Sequence, residues 1–148
     1  MGDAVIHLDH QAGTPCREAV LAAMEPWWRR QAANPSSRGH RPGLLAAAAV
    51  EQARGRIAAG FKLEPEAVIF TSGATEANNL ALKGLAEAEL ATGGQRRHLI
   101  SVQSEHRAVL DPLRYLERHR FALTLLPVGE DGLLDPAQLE AALRPDTL

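Results

Sequence analysis

Short apolar runs alternate with helix-patterned segments through the second half of this chain, and that alternation restricts the fold more than any other feature. Ala67-Val68-Ile69-Phe70 reads as a buried strand, and Ala77, Leu80, Ala81 and Leu82 then recur at helical spacing in a helix expected from Thr75 to Ala91. Gly93-Gly94 breaks that helix, His98 to Val102 forms the next strand, and a helix follows over Ala108 to His119. Phe121 to Leu126 is a further strand, Gly129-Glu130-Asp131-Gly132 a turn, and Asp135-Pro136 the cap and first turn of a last helix ending near Leu143. Strands separated by helices predict an α/β layer structure with a mainly parallel sheet flanked by helices.

The first half is more helical. Val5 to Leu8 is a short candidate strand, and Thr14-Pro15 supplies the cap and first turn of a helix whose Val20, Leu21, Met24 and Trp28 form one apolar face. Pro26 is expected to kink or end it. Gln31 to Gly43, with two prolines and two glycines, reads as an irregular loop, and Leu44 to Ala59 as an Ala-rich helix stopped by Gly60.

Composition excludes several classes. The 148 residues suffice for a single core, and a formal net charge of −2 with scattered basic residues offers no footprint for nucleic acid. The longest apolar stretches, such as Leu44 to Val50, fall far short of a bilayer span, and the N-terminus lacks a basic-then-apolar signal pattern, so a cytoplasmic, membrane-free protein is expected. A lone cysteine, Cys16, leaves no internal disulfide and no Cys-rich metal site, and it reads as a small residue near a helix start rather than a nucleophile. His7, His98 and His119 lack ligand spacing, so no metal is expected.

The junction Thr71-Ser72-Gly73-Ala74-Thr75 joins the first of these strands to its helix through small residues. Two readings fit it. The main-chain N–H groups of Ala74 and Thr75, with the Thr75 hydroxyl, are placed as a phosphate site at a helix N-terminus; alternatively Thr71 or Ser72 merely caps the helix, with Glu76 in its first turn. Ser104-Glu105-His106 follows the next strand, so both motifs fall on the rim where ligands of parallel sheets bind. His106 is either an aromatic base able to lie on a ring and move protons near neutral pH, or a helix-start histidine bonded to backbone.

The words themselves narrow the choice. Thr71 to Gly84, reading Thr-Ser-Gly-Ala-Thr-Glu-Ala-Asn-Asn-Leu-Ala-Leu-Lys-Gly, resembles the signature of the NifS/IscS-like cysteine desulfurases, pyridoxal-phosphate enzymes of the class V aminotransferase family. Leu8-Asp9-His10-Gln11-Ala12-Gly13-Thr14-Pro15 is similar to the family's opening segment, Asn34-Pro35-Ser36-Ser37-Arg38-Gly39-His40 to a following loop, and Glu105-His106-Arg107-Ala108-Val109-Leu110 to its Glu-His-Lys-Ala-Val-Leu. Gly13 stands where the family has Thr, and His10-Gln11 replaces more typical Asn- or Ala-containing pairs, which weakens any transfer of substrate contacts from His10, Gln11, Asn34 and His40.

The resemblance implies the N-terminal part of the large domain of a fold type I transferase, over residues 15–148, with residues 1–14 belonging to the small domain or substrate side. It implies pyridoxal 5'-phosphate as cofactor, with Ala74 and Thr75 at its phosphate and His106 as the catalytic residue lying on its ring. It also implies L-cysteine as substrate, a sulfur acceptor or iron–sulfur scaffold protein as partner, and a homodimer. The chain has two lysines, Lys62 and Lys83, and neither matches the family's cofactor lysine. That lysine and the persulfide cysteine are expected beyond Leu148, so the chain is expected to be incomplete, marginally folded and inactive alone. A selenocysteine lyase or another class V enzyme, or a non-catalytic remnant that pairs with a full-length desulfurase, are the alternatives.

Overall fold

The computed structural model describes Ile6 and residues 8–148. Val5 and His7, and with them the strand expected over residues 5–8, lie outside the described residues. The chain divides into two compact units, Met1–Ile69 and Phe70–Leu148.

The first unit is built from two helices. Helix α1 spans Glu18–Arg29 and helix α2 spans Arg41–Phe61. Helix α1 starts later than Thr14-Pro15 suggests, because the Thr14 hydroxyl donates to the His10 carbonyl at 3.2 Å and Arg17 takes the N-cap position. Pro26 does not stop α1 at once; the helix runs one further turn, and the Pro26 carbonyl accepts from Arg30 at its end.

Helix α2 is capped at both ends. The His40 ring accepts from Gly43 N–H through Nδ1 at 3.1 Å, and the first turn carries Pro42, whose missing N–H costs nothing there. Gly60 is not the stop. The helix passes through it to Phe61, and Lys62 takes the left-handed conformation (φ 56°, ψ 42°) while Leu63 N–H reaches back to the Ala58 carbonyl at 2.9 Å. The loop before α2 is ordered by its own polar groups: Asn34 Oδ1 accepts from Ser36 N–H at 2.8 Å, and its carbonyl accepts from Ser37 N–H at 3.0 Å.

Ala67–Phe70 is not a strand. Residues 65–67 form one 3₁₀ turn, and residues 68–70 continue without ladder pairing. The Val68 carbonyl, which a sheet neighbour would use, instead accepts from the Arg54 guanidinium, itself held by Glu51 at 3.1 Å. β-Branched composition favours a pleated surface but does not supply the partner strand.

The second unit carries the α/β layers expected from the alternation. Helix α3 (Ala74–Ala91), strand β1 (His98–Val102), helix α4 (Arg107–Glu117), strand β2 (Ala122–Leu126) and helix α5 (Pro136–Ala142) follow in order. The strands are parallel, in register from His98 opposite Ala122 to Val102 opposite Leu126, and a single parallel bridge joins Thr147 to His98 on the other side of β1. Asp135 caps α5 as expected, its carboxylate accepting from Ala137 N–H at 2.9 Å. The core lies between the sheet and helices α3 and α4: Ala86, Leu99, Leu113, Leu116 and Phe121 are buried together, with Leu82, Leu90 and Leu148 packed on them. Ala86, fully buried, keeps α3 close to α4.

Candidate cofactor site

Two helix N-termini in the second unit build the site. At α3 the chain bends at Ser72 and Gly73, and Gly73 takes the N-cap position. Since Gly73 has no side chain, no side-chain oxygen caps the helix, and the leading N–H groups keep their donor capacity. The simple cap reading is reversed: Ser72 does not accept from the helix but donates to it. Its N–H and its hydroxyl both reach Oε2 of Glu76, each at 2.7 Å. These two bonds, the backbone one first, hold the Glu76 carboxyl below its usual range. Glu76 thus shapes the bend while leaving Ala74 and Thr75 open at the dipole-positive end.

At α4 the N-cap is His106 itself. Its Nδ1 accepts from Ala108 N–H at 3.1 Å, so the neutral ring carries its proton on Nε2, on the opposite edge. The backbone-bonded reading of this histidine therefore holds, and it fixes the ring without using the second nitrogen.

Thr75 and His106 come together. They line one open cavity of about 310 Å³, with Asn79 and Lys83 from α3 and Arg107, Ala108, Asp111 and Pro112 from α4. Ala74 is exposed and is not among the lining residues. Residues 75, 79 and 83 recur every fourth position on α3, so they share the face that packs on α4. That spacing is visible in the sequence, but only the α3–α4 contact shows that the face borders a cavity. Asn79 donates to the Thr75 carbonyl at 2.9 Å, Lys83 Nζ lies 4.6 Å above the Tyr115 ring, and Arg107 Nε sits 3.8 Å from Asp111 Oδ2. Lys83 and Arg107 against Asp111 leave a positive surplus in the wall.

His10, Gln11, Asn34 and His40 belong to the first unit. Asn34 and His40 serve local structure there, as a turn acceptor and a helix cap. Among the described residues no group of three or more His, Cys, Asp or Glu is placed to hold a metal ion, and no helix is long and apolar enough to cross a membrane.

Comparison with known families matches residues 6–148 to Aminotransferase class-V. The chain belongs to that family. Among curated class V relatives, "Cysteine desulfurase IscS" of Dechloromonas aromatica (strain RCB) is 47% identical over 143 residues, which are 97% of this chain and 35% of the relative. A solved structure described as a NifS-like protein superposes with a TM-score of 0.83 at 33% identity, covering 94% of this chain and 37% of that one. Another, described as SspA in complex with cysteine, gives 0.81 at 40% identity over 95% of this chain and 40% of that one. The chain thus spans about a third of the length of the curated relatives it matches. The expected class V fold, helices on a mainly parallel sheet, is what these likenesses show.

The residues present fit the phosphate end and the ring face of pyridoxal phosphate. An uncapped helix N-terminus with a threonine hydroxyl suits a dianion, and a fixed imidazole in the same cavity suits a flat ring.

Proposed function

We propose that this chain is the cofactor-phosphate-binding part of a pyridoxal-phosphate-dependent cysteine desulfurase. On this reading Thr75 and Ala74 N–H groups and the Thr75 hydroxyl hold the phosphate, and His106 lies against the ring with Nε2 free to hold or pass a proton. Bound there, pyridoxal phosphate supplies an electron sink for the carbanion formed at the α-carbon of an amino acid. The overall conversion takes L-cysteine and an enzyme thiol to L-alanine and an enzyme-bound persulfide, for delivery to a sulfur acceptor or iron–sulfur scaffold protein by a cytoplasmic homodimer. The cofactor lysine and the persulfide cysteine belong, on this reading, to the part of the relatives' length that this chain does not span. Residues 15–148 are then part of the large domain, and residues 1–14 belong to the small domain or the substrate side.

The observation that carries the proposal is the meeting of Thr75 and His106 in one cavity, in a class V chain. The chain's own residues would do three things: offer uncapped donors, orient a ring through a capped imidazole, and place Lys83 and Arg107 in the wall to favour an anion. Titration with pyridoxal phosphate and with unphosphorylated pyridoxal, followed by absorbance, tests it. Tighter binding of the phosphorylated form is expected, with Thr75→Val weakening that form alone by about tenfold, the worth of one charge-assisted hydrogen bond. Equal affinity for the two forms, or no effect of Thr75→Val, would refute the phosphate assignment.

A further inference from the structure

Thr71 and Ser72 carry hydroxyls just ahead of α3, and hydroxyls in such places ordinarily accept from the first N–H groups of the helix. Here neither does. The Thr71 hydroxyl donates to the Gly73 carbonyl at 3.2 Å, and the Ser72 hydroxyl donates to Oε2 of Glu76 at 2.7 Å. Among the described residues the N–H groups of Ala74 and Thr75 have no protein acceptor. The turn thus holds two oxygens and two free donors close together in sequence, and keeps them apart.

The separation has a visible cause. Oε2 of Glu76 takes both donors of Ser72, its N–H and its hydroxyl, each at 2.7 Å. That fixes the peptide between Thr71 and Ser72 through its N–H, and the serine side chain through its oxygen. The peptide between Gly73 and Ala74 is fixed at its other end, because the Gly73 carbonyl accepts from Thr71 and from Ala77 N–H at 3.1 Å. A planar trans peptide sets its N–H opposite its carbonyl, so the Ala74 N–H points out of the helix end. In a capping box the glutamate third in the helix bonds the N–H of the N-cap residue, and the N-cap hydroxyl stays on the helix. Glu76 is third in α3 but reaches one residue further back, past Gly73 to Ser72, and draws the serine away.

We infer that Glu76 is a positioning residue that prevents α3 from capping itself: by engaging Ser72 it keeps that hydroxyl off the N–H groups of Ala74 and Thr75, and so reserves them for a phosphate ester. This rests on the phosphate reading above and adds to it the residue that sets the preference for a phosphorylated ligand. Without Glu76 the Ser72 peptide is free to turn, and its hydroxyl becomes an internal competitor for the same donors. Glu76 is also an anion near a dianion. It is exposed, however, where water and salt screen its charge, whereas a serine cap blocks the donors by direct contact. Loss of Glu76 therefore weakens phosphate binding rather than strengthening it.

Titration of the full chain with pyridoxal phosphate and with unphosphorylated pyridoxal, followed by absorbance, tests this through the ratio of the two affinities, which a general loss of stability leaves alone. Glu76→Ala is expected to lower the preference for the phosphorylated form about fivefold, the size of one side-chain cap. Adding Ser72→Ala removes the competitor, so the double variant should recover the wild-type preference to within about twofold. An unchanged preference in Glu76→Ala, or a double variant as weak as Glu76→Ala, overturns the role of Glu76 and leaves the phosphate reading standing. Equal affinities in the wild type refute that reading and this inference with it. Should Glu76→Ala not fold, Ser72→Ala alone decides: a retained preference supports the inference, and a drop of about fivefold makes the Ser72 hydroxyl a phosphate donor and overturns it.

Discussion

Replacing Gly43 with alanine should destabilise the protein, although the same change about three turns along α2, at Gly55, should do the opposite. A Cβ at Gly43 would lie 2.0 Å from the Ser37 carbonyl oxygen and 2.9 Å from its carbonyl carbon, both backbone atoms of the Asn34–His40 loop. Ordinary contacts between such atoms are about 3.5 Å, so the loop must move by about 1.5 Å or tear away from α2. Overpacking of this kind costs about 1–3 kcal/mol. Gly55, in the same helix, has nothing within 4 Å of its would-be Cβ, and Gly55→Ala gains about 1 kcal/mol of helix propensity. Because the propensity gain is shared in kind, the two variants differ mainly by the clash, about 1–3 kcal/mol. For a unit of this size each kcal/mol moves the midpoint by about 4–8 °C. Thermal unfolding followed by helical circular dichroism should place Gly55→Ala above the wild type and Gly43→Ala below it. A Gly43→Ala midpoint at or above the wild type would refute the reasoning that the loop is pinned to α2 by close backbone approach.

His106→Ala removes the acceptor for Ala108 N–H and should lower stability by about 1 kcal/mol, whereas His106→Asn, a good N-cap, should keep most of it; denaturant midpoints of the two variants check this. Ring-dependent cofactor contacts should be lost in both, which separates the capping role from the proposed binding role. Glu76 has its carboxyl titration lowered by Ser72, so its contribution to the α3 bend is whole above the ordinary value of 4.5 and is lost as pH falls through the lowered one. A carboxyl NMR titration should find the Glu76 midpoint below 4.5, moving up toward it in Ser72→Ala.

What the sequence shows of this fold follows the range of the interactions involved. The bounds of β1 were legible because the short segment His98 to Val102, with its apolar Leu99, Ile100 and Val102, follows the Gly93-Gly94 break and ends at a turn, and α5 because Asp135-Pro136 is a local cap. Ala67–Phe70 was not, since a strand is defined by its neighbour and the Val68 carbonyl is taken by Arg54, fourteen residues back. The end of α2 is illegible for a related reason: Lys62 rather than a glycine adopts the left-handed turn, and Leu63 and Lys62 satisfy the last carbonyls. At the candidate site, the small residues of 71–75 and the position of His106 were visible as words in the chain. The direction of the Ser72–Glu76 bonds was not, because either residue can cap the other. Lys83 and Asn79 entered the cavity only through the packing of α3 on α4.

The cap made by His106 has a consequence for recognition. A free histidine side chain samples several rotamers, and a ligand that stacks on it must freeze them, at about 0.5–1.5 kcal/mol for an immobilised side chain. Here the bond from Ala108 N–H has done that freezing during folding, so the imidazole plane is set by the axis of α4. Any flat molecule laid against it inherits its orientation from the helix, and its affinity is spared that entropic loss.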